Sequence, residues 1–267
     1  MGSPLARVAD NGSSLAGLAL LLCLVVATIA ALAHRNNGAL PLTLEPLAGD
    51  DGSLAALTSD GGALLLAGGA RRAESVRLRF HIPPAEAATS RWLVRVGRAP
   101  VDAVSLSGMG WRSRTLDFFH PLREEGALPS AFSFPLPVGW SGDIVLELQA
   151  TGTLKGTLPV QVVRDATALQ FTQRSAALAG GIYSALFMLA LITLALHGAA
   201  RDRSFLLFFA TVLAALLLLA ARNGHIYQLP GFGALAYWRG QGIWALTLLA
   251  MAVGLQLMQR YSATALG

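Results

Sequence analysis

Two hydrophobic patterns divide this chain. Residues 15–33, 176–198, 205–221 and 242–258 are apolar runs that contain no Asp, Glu, Lys or Arg. At about 1.5 Å of rise per residue, a helix of that length crosses or nearly crosses a hydrocarbon layer of about 30 Å. From about Leu40 to Arg164 the period changes from helix-like to two. Val76, Leu78, Phe80 and Ile82 alternate with Arg77, Arg79 and His81, and Trp92, Val94 and Val96 alternate with Leu93, Arg95 and Gly97. Such alternation is that of a half-buried strand. Further strands are expected at 103–106, 132–136, 144–148 and 158–162. Turn residues separate them: Pro83 and Pro84, Gly108 to Gly110, Gly126, Gly139 to Gly142, and Thr151 with Gly152. Short strands at these intervals predict an all-β, jelly-roll-like antiparallel sandwich over residues 40–165. Residues 165–175 read as a polar connector into an α-helical transmembrane region, 176–260, with helices at 176–198, 205–221 and 242–258.

Topology follows from the flanks. Arg201, Asp202 and Arg203 lie in the tight 199–204 connection, as expected of a cytoplasmic loop. Asn223 and Gly224 suit a left-handed helix end, and Tyr227, Tyr237, Trp238 and Trp244 read as interfacial aromatics on the opposite side. The 1–33 segment has two readings, a signal peptide cleaved after Ala33 or an uncleaved anchor. Both put the β-domain outside the cytoplasm, with the C-terminus inside. The lipid bilayer is thus the first partner.

Composition agrees, with 54% of residues hydrophobic and 13% charged. The formal charge of +5 could point to nucleic acid, but its distribution argues against that. Between His34 and Ser175 there are 14 Lys and Arg against 13 Asp and Glu, and the surplus Arg7, Arg201, Arg203, Arg222, Arg239 and Arg260 flank apolar runs. Cys23, the one cysteine, lies in the first apolar run, so no intrachain disulfide is available.

The order of parts resembles a bacterial family, the seven-transmembrane receptors with diverse intracellular signalling modules. In the β-domain the resemblance rests on Arg91-Trp92-Leu93-Val94-Arg95-Val96 with Ala99-Pro100-Val101-Asp102-Ala103-Val104-Ser105-Leu106, then on Phe132-Ser133-Phe134-Pro135-Leu136-Pro137 and Leu158-Pro159-Val160-Gln161-Val162. In the helical part it rests on Gly180-Gly181-Ile182-Tyr183, Arg201-Asp202-Arg203-Ser204-Phe205-Leu206 and Asn223-Gly224-His225-Ile226-Tyr227-Gln228-Leu229. The family has seven helices after its β-domain and commonly a diguanylate cyclase or histidine kinase beyond them. This chain has three such runs, so the resemblance implies the sensory front part of a receptor, C-terminally truncated, whose output enzyme lies elsewhere.

No complete catalytic centre is legible. The His residues are scattered, no metal-ligand spacing appears, and no cofactor is expected. Glu124 and Glu125 are adjacent and read as solvated loop charge. Ligand binding is the better prospect: Trp111 and Trp140 could stack on a small molecule or a carbohydrate while Arg112, Arg114 or His120 bonds to its hydroxyls or carboxylate. Trp92 reads as core and Trp140 also as a loop plug. Ala177, Gly181 and Ala185, like Ala250 and Gly254, recur at four-residue spacing, which suits close helix packing, and a homodimer is a candidate arrangement. Tyr183 and His197 are the polar side chains near the spans. The leading expectation is a membrane sensor. Its rivals are a membrane-anchored structural or carbohydrate-binding scaffold of the envelope and, last, a membrane enzyme or transporter.

Overall fold

A computed structural model describes residues 45–46, 55–59, 63–82, 91–121 and 129–266, all within the unit Gly38–Gly267. The expected leader or anchor at 1–33 with Cys23, the turns at Pro83, Pro84 and Gly126, and Glu124 and Glu125 lie outside the described residues.

The strands are β1 (Glu45–Pro46), β2 (Ala55–Ser59), β3 (Ala63–Ile82), β4 (Trp92–Gly97), β5 (Ala103–Gly108), β6 (Trp111–Arg112), β7 (Ala131–Pro135) and β8 (Gly142–Arg164). They form two antiparallel sheets that share β8. Through Gly142 to Pro159, β8 pairs with β3, and its Ile144–Gln149 stretch also pairs with β5. From Val160 to Arg164 it pairs with β4, which in turn pairs with β7. The alternating side chains of both sheets meet in one core: Leu78, Phe80 and Ile82, Val104 and Leu106, Ile144, Leu146 and Leu148 on one side, Trp92, Val94 and Val96, Phe132 and Phe134, Val160 and Val162 on the other.

Two expected strands, 144–148 and 158–162, are therefore one. The expected turn at Thr151 and Gly152 lies inside β8, opposite a register shift between Ala70 and Ala73 of β3. Pairing continues on both sides of that irregularity, and a bulge absorbs a bend without ending the ladder. The buried Ile144, Leu146, Leu148 and Ala150 before the irregularity and Leu158, Val160 and Val162 after it all stand at even-numbered positions.

The expected polar connector is also corrected. Helix α1 (Asp165–Ala200) starts at the residue after β8, with Asp165 in its first turn, where a carboxylate favours the helix dipole. The Asp165 N–H donates to the Arg91 carbonyl at 3.0 Å, tying that start to the strand edge. The helix ends at Arg201 in the left-handed region (φ 52°), and the Asp202 side chain caps α2 (Arg203–Arg222) by accepting from the Ser204 N–H. That bond, with one from the Ser204 hydroxyl, is the main reason the Asp202 carboxyl sits below its ordinary value. After α2, Gly224 takes the expected left-handed conformation (φ 75°). Two 3-10 turns, His225–Gln228 and Gly233–Trp238, lead into α3 (Arg239–Leu266).

Helix α2 packs against both α1 and α3. Arg260 of α3 reaches the 201–204 turn, its Nε donating to Ser204 Oγ at 3.1 Å. All three helices are long and apolar enough to cross a membrane, and they turn large apolar side chains outward, among them Phe187, Met188, Ile192, Leu248 and Met251. Within the chain, an added Cβ at Gly181 or Gly254 of the small-residue stripes would meet nothing within 4 Å.

Candidate functional site

The end of the β-domain nearest α1 is held by side chains from the 223–239 connection. The His225 imidazole is buried between three elements. Its Nε2 lies 3.2 Å from the Pro129 carbonyl, which can only accept, so the proton sits on Nε2. Nδ1 then accepts from the Tyr183 hydroxyl at 2.7 Å, and Asn223 Nδ2 donates to the same hydroxyl oxygen at 3.0 Å. Burial is the largest influence on His225 and holds it below 6.5. The Pro129 carbonyl pulls it upward and Arg98 pushes it down again.

Around this chain of hydrogen bonds the packing is aromatic. Tyr227 sits edge-on to Phe118 and Phe119, with ring centroids 5.9 and 5.4 Å away. Its burial pushes the phenol up to about 12. The expectation of an interfacial Tyr227 is thus corrected, because its ring covers two phenylalanines of the β-domain. Tyr237, Trp238 and Trp244 are exposed, as that expectation requires. Gly224 passes so close that a Cβ there would come within 2.8 Å of Arg98 Nε and 3.1 Å of the Phe118 ring. Arg239 closes the far side, with Nη1 2.7 Å from Asp102 Oδ1, and it holds a strained positive φ of 43° where α3 begins.

A second set of contacts docks the first turns of α1. The buried Arg95 of β4 places its guanidinium 5.2 Å from the Phe171 ring centroid and donates from Nη2 to Ser130 Oγ at 3.2 Å. Burial lowers its pKa. The Ser130 hydroxyl shares a 2.8 Å hydrogen bond with Ser175 of α1.

The candidate ligand residues separate. Trp111 lies on β6, just after the expected turn at Gly108 to Gly110, and with Arg112 and Arg114 it lines a cleft of about 600 Å³ whose opposite wall is α1, at Asp165, Ala168, Leu169 and Thr172. Trp140 borders a different, more open cleft of about 680 Å³, beside His81 and Asp143. There it acts as a plug: a Cβ on Gly108 would meet its ring at 2.6 Å. The Trp111 and Trp140 rings are 6.3 Å apart, so they lean together without sharing a cleft. His120 lines neither cleft, and its Nδ1 donates to Asp117 Oδ2 at 2.7 Å within its own loop. Trp92 is core, as expected. His197 binds the Asp202 carbonyl at 2.8 Å, beside the 201–204 turn. Among the described residues no three His, Cys, Asp or Glu side chains gather as a metal ion would require.

The sequence reading missed His225 and Pro129 as partners. The available signal was a polar pair near helix ends, Tyr183 and Asn223-Gly224-His225, but nothing in it pointed to Pro129. No family model matches the chain, and no curated protein matches it.

Proposed function

We propose that the chain is a membrane-bound sensory module in which a change in the β-domain alters the arrangement of the helices and, through them, a cytoplasmic output domain. The β-domain, on this reading a jelly-roll-like sandwich, faces the periplasm of a bacterial inner membrane. The 201–204 turn and the C-terminus face the cytoplasm, as in the seven-transmembrane receptors that the sequence resembles. The observation that carries the reading is mechanical. Strand β8, shared by both sheets, passes into α1 with no intervening residue, and the Pro129–His225–Tyr183 hydrogen bonds fasten the same helix to the β-domain.

A receptor needs two helix arrangements whose free energies respond differently to a bound molecule. A loosely tethered β-domain could not bias them, whereas one fastened along α1 can. Fusion of the full chain to a diguanylate cyclase supplies the test. Tyr183→Phe and His225→Gln should change the cellular cyclic dinucleotide level at equal protein abundance, while Arg79→Gln, on an exposed strand face, should not. Equal output from all four chains would refute the sensory reading.

A further inference from the structure

We propose that the cleft between β6, β7 and the first two turns of α1 binds a small monoanion with an apolar or aromatic body. Its role as signal rests on the sensory reading above, whereas its existence as a site does not. At about 600 Å³ the cleft is of small-ligand size. Its walls combine the Trp111 ring and Leu93 with Leu169 of α1, a leucine 60% exposed.

Charge selects the ligand class. Arg112 and Arg114 lie on one wall and Asp165 on the other, so among the described lining residues cations outnumber anions, which favours a single carboxylate or a phosphodiester. Arg112 can turn toward a ligand cheaply. Its contact with Glu147 is 3.7 Å long and exposed, and Arg77 holds that carboxylate at 3.5 Å in any case. The strand end that carries the arginines is held in place, because Ser113 Oγ accepts from the Leu106 N–H at 2.8 Å and donates to the Arg114 carbonyl at 3.0 Å. Since one wall is sheet and the other is α1, a ligand that spans the cleft favours one spacing between them.

The test uses the full chain in phosphatidylcholine nanodiscs, titrated calorimetrically with 3-phenylpropionate and with 3-phenylpropan-1-ol, which has the same body without the charge. Saturable binding of the acid is expected, at least tenfold tighter than the alcohol. Arg112→Gln with Arg114→Gln should weaken it tenfold or more, as should Leu169→Asp on the opposite wall, with melting temperatures reporting that both variants remain folded. No saturable binding by the wild-type chain, or equal affinity for acid and alcohol, overturns the proposal without recourse to any variant. So does undiminished binding by the folded variants. Repeating the titration with phosphatidylglycerol in the disc identifies the natural source: a tenfold loss marks a lipid headgroup as the competing occupant, and an unchanged affinity marks a free acid. Failure here would leave the cyclase experiment unaffected, so the two readings can fall separately.

Discussion

Because the folded chain holds His225 neutral, in a buried site beside Arg98, an unfolded chain takes up a proton at that position before the folded one does. Stability from this group is therefore complete above about pH 6.5 and is lost progressively as the pH falls below that value. The wild-type melting temperature should drop between pH 7.5 and pH 5.5, and His225→Gln should melt lower at pH 7.5 but show a smaller drop. Identical pH profiles for the two would remove His225 from the junction's energetics. Gly224 supplies a second prediction. Its φ of 75° costs an alanine about 1–2 kcal/mol, and the added Cβ also meets Arg98 and Phe118. Gly224→Ala should therefore lower the melting temperature by several degrees and increase proteolysis within 223–238; a neutral outcome would mean that the connection is not docked. Little of this was legible in the sequence. Pro129 and His225 stand 96 positions apart, and an aromatic such as Tyr227 looks alike whether lipid or two phenylalanines will cover it.

Strands were the most readable elements, since β7 and the 77–82 part of β3 alternate between more and less buried positions, although in β4 the intervening Arg95 is buried as well. The sequence misled where local and long-range preferences disagree. Thr151 and Gly152 favour a turn, yet pairing with β3 carries the strand through them. Residues 165–175 are too polar to announce a membrane helix, yet their docking through Ala168, Phe171 and Ser175 extends α1 down to the sheet edge. This continuity gives an element-scale prediction. Two glycines inserted between Arg164 and Asp165 should leave the β-domain folded while shifting the register between Ser175 and Ser130. The output of a cyclase fusion should then cease to respond to Tyr183→Phe. A fusion that responds as before would mean that the strand-to-helix joint transmits nothing.

For the molecule as a whole, the division into a β-domain and apolar helices followed from composition and period alone, because lipid-facing and water-facing segments differ grossly in charge. The proposed sidedness rests on the arginines of the 201–204 turn and can be read chemically. With Cys23 replaced by Ser, Met109→Cys on the 93% exposed β5–β6 turn should react with a membrane-impermeant maleimide in intact spheroplasts, and Arg201→Cys only after lysis. The reverse pattern would invert the topology. Most direct for the central claim is the spin-label distance between Arg201→Cys and Tyr261→Cys, near the far ends of α1 and α3, measured in nanodiscs with Cys23 replaced by Ser. If the β-domain governs the helices, Tyr183→Phe with His225→Gln will shift or broaden that distance distribution. An unchanged distribution, with the junction demonstrably opened by faster hydrogen exchange at 225–228, would contradict it.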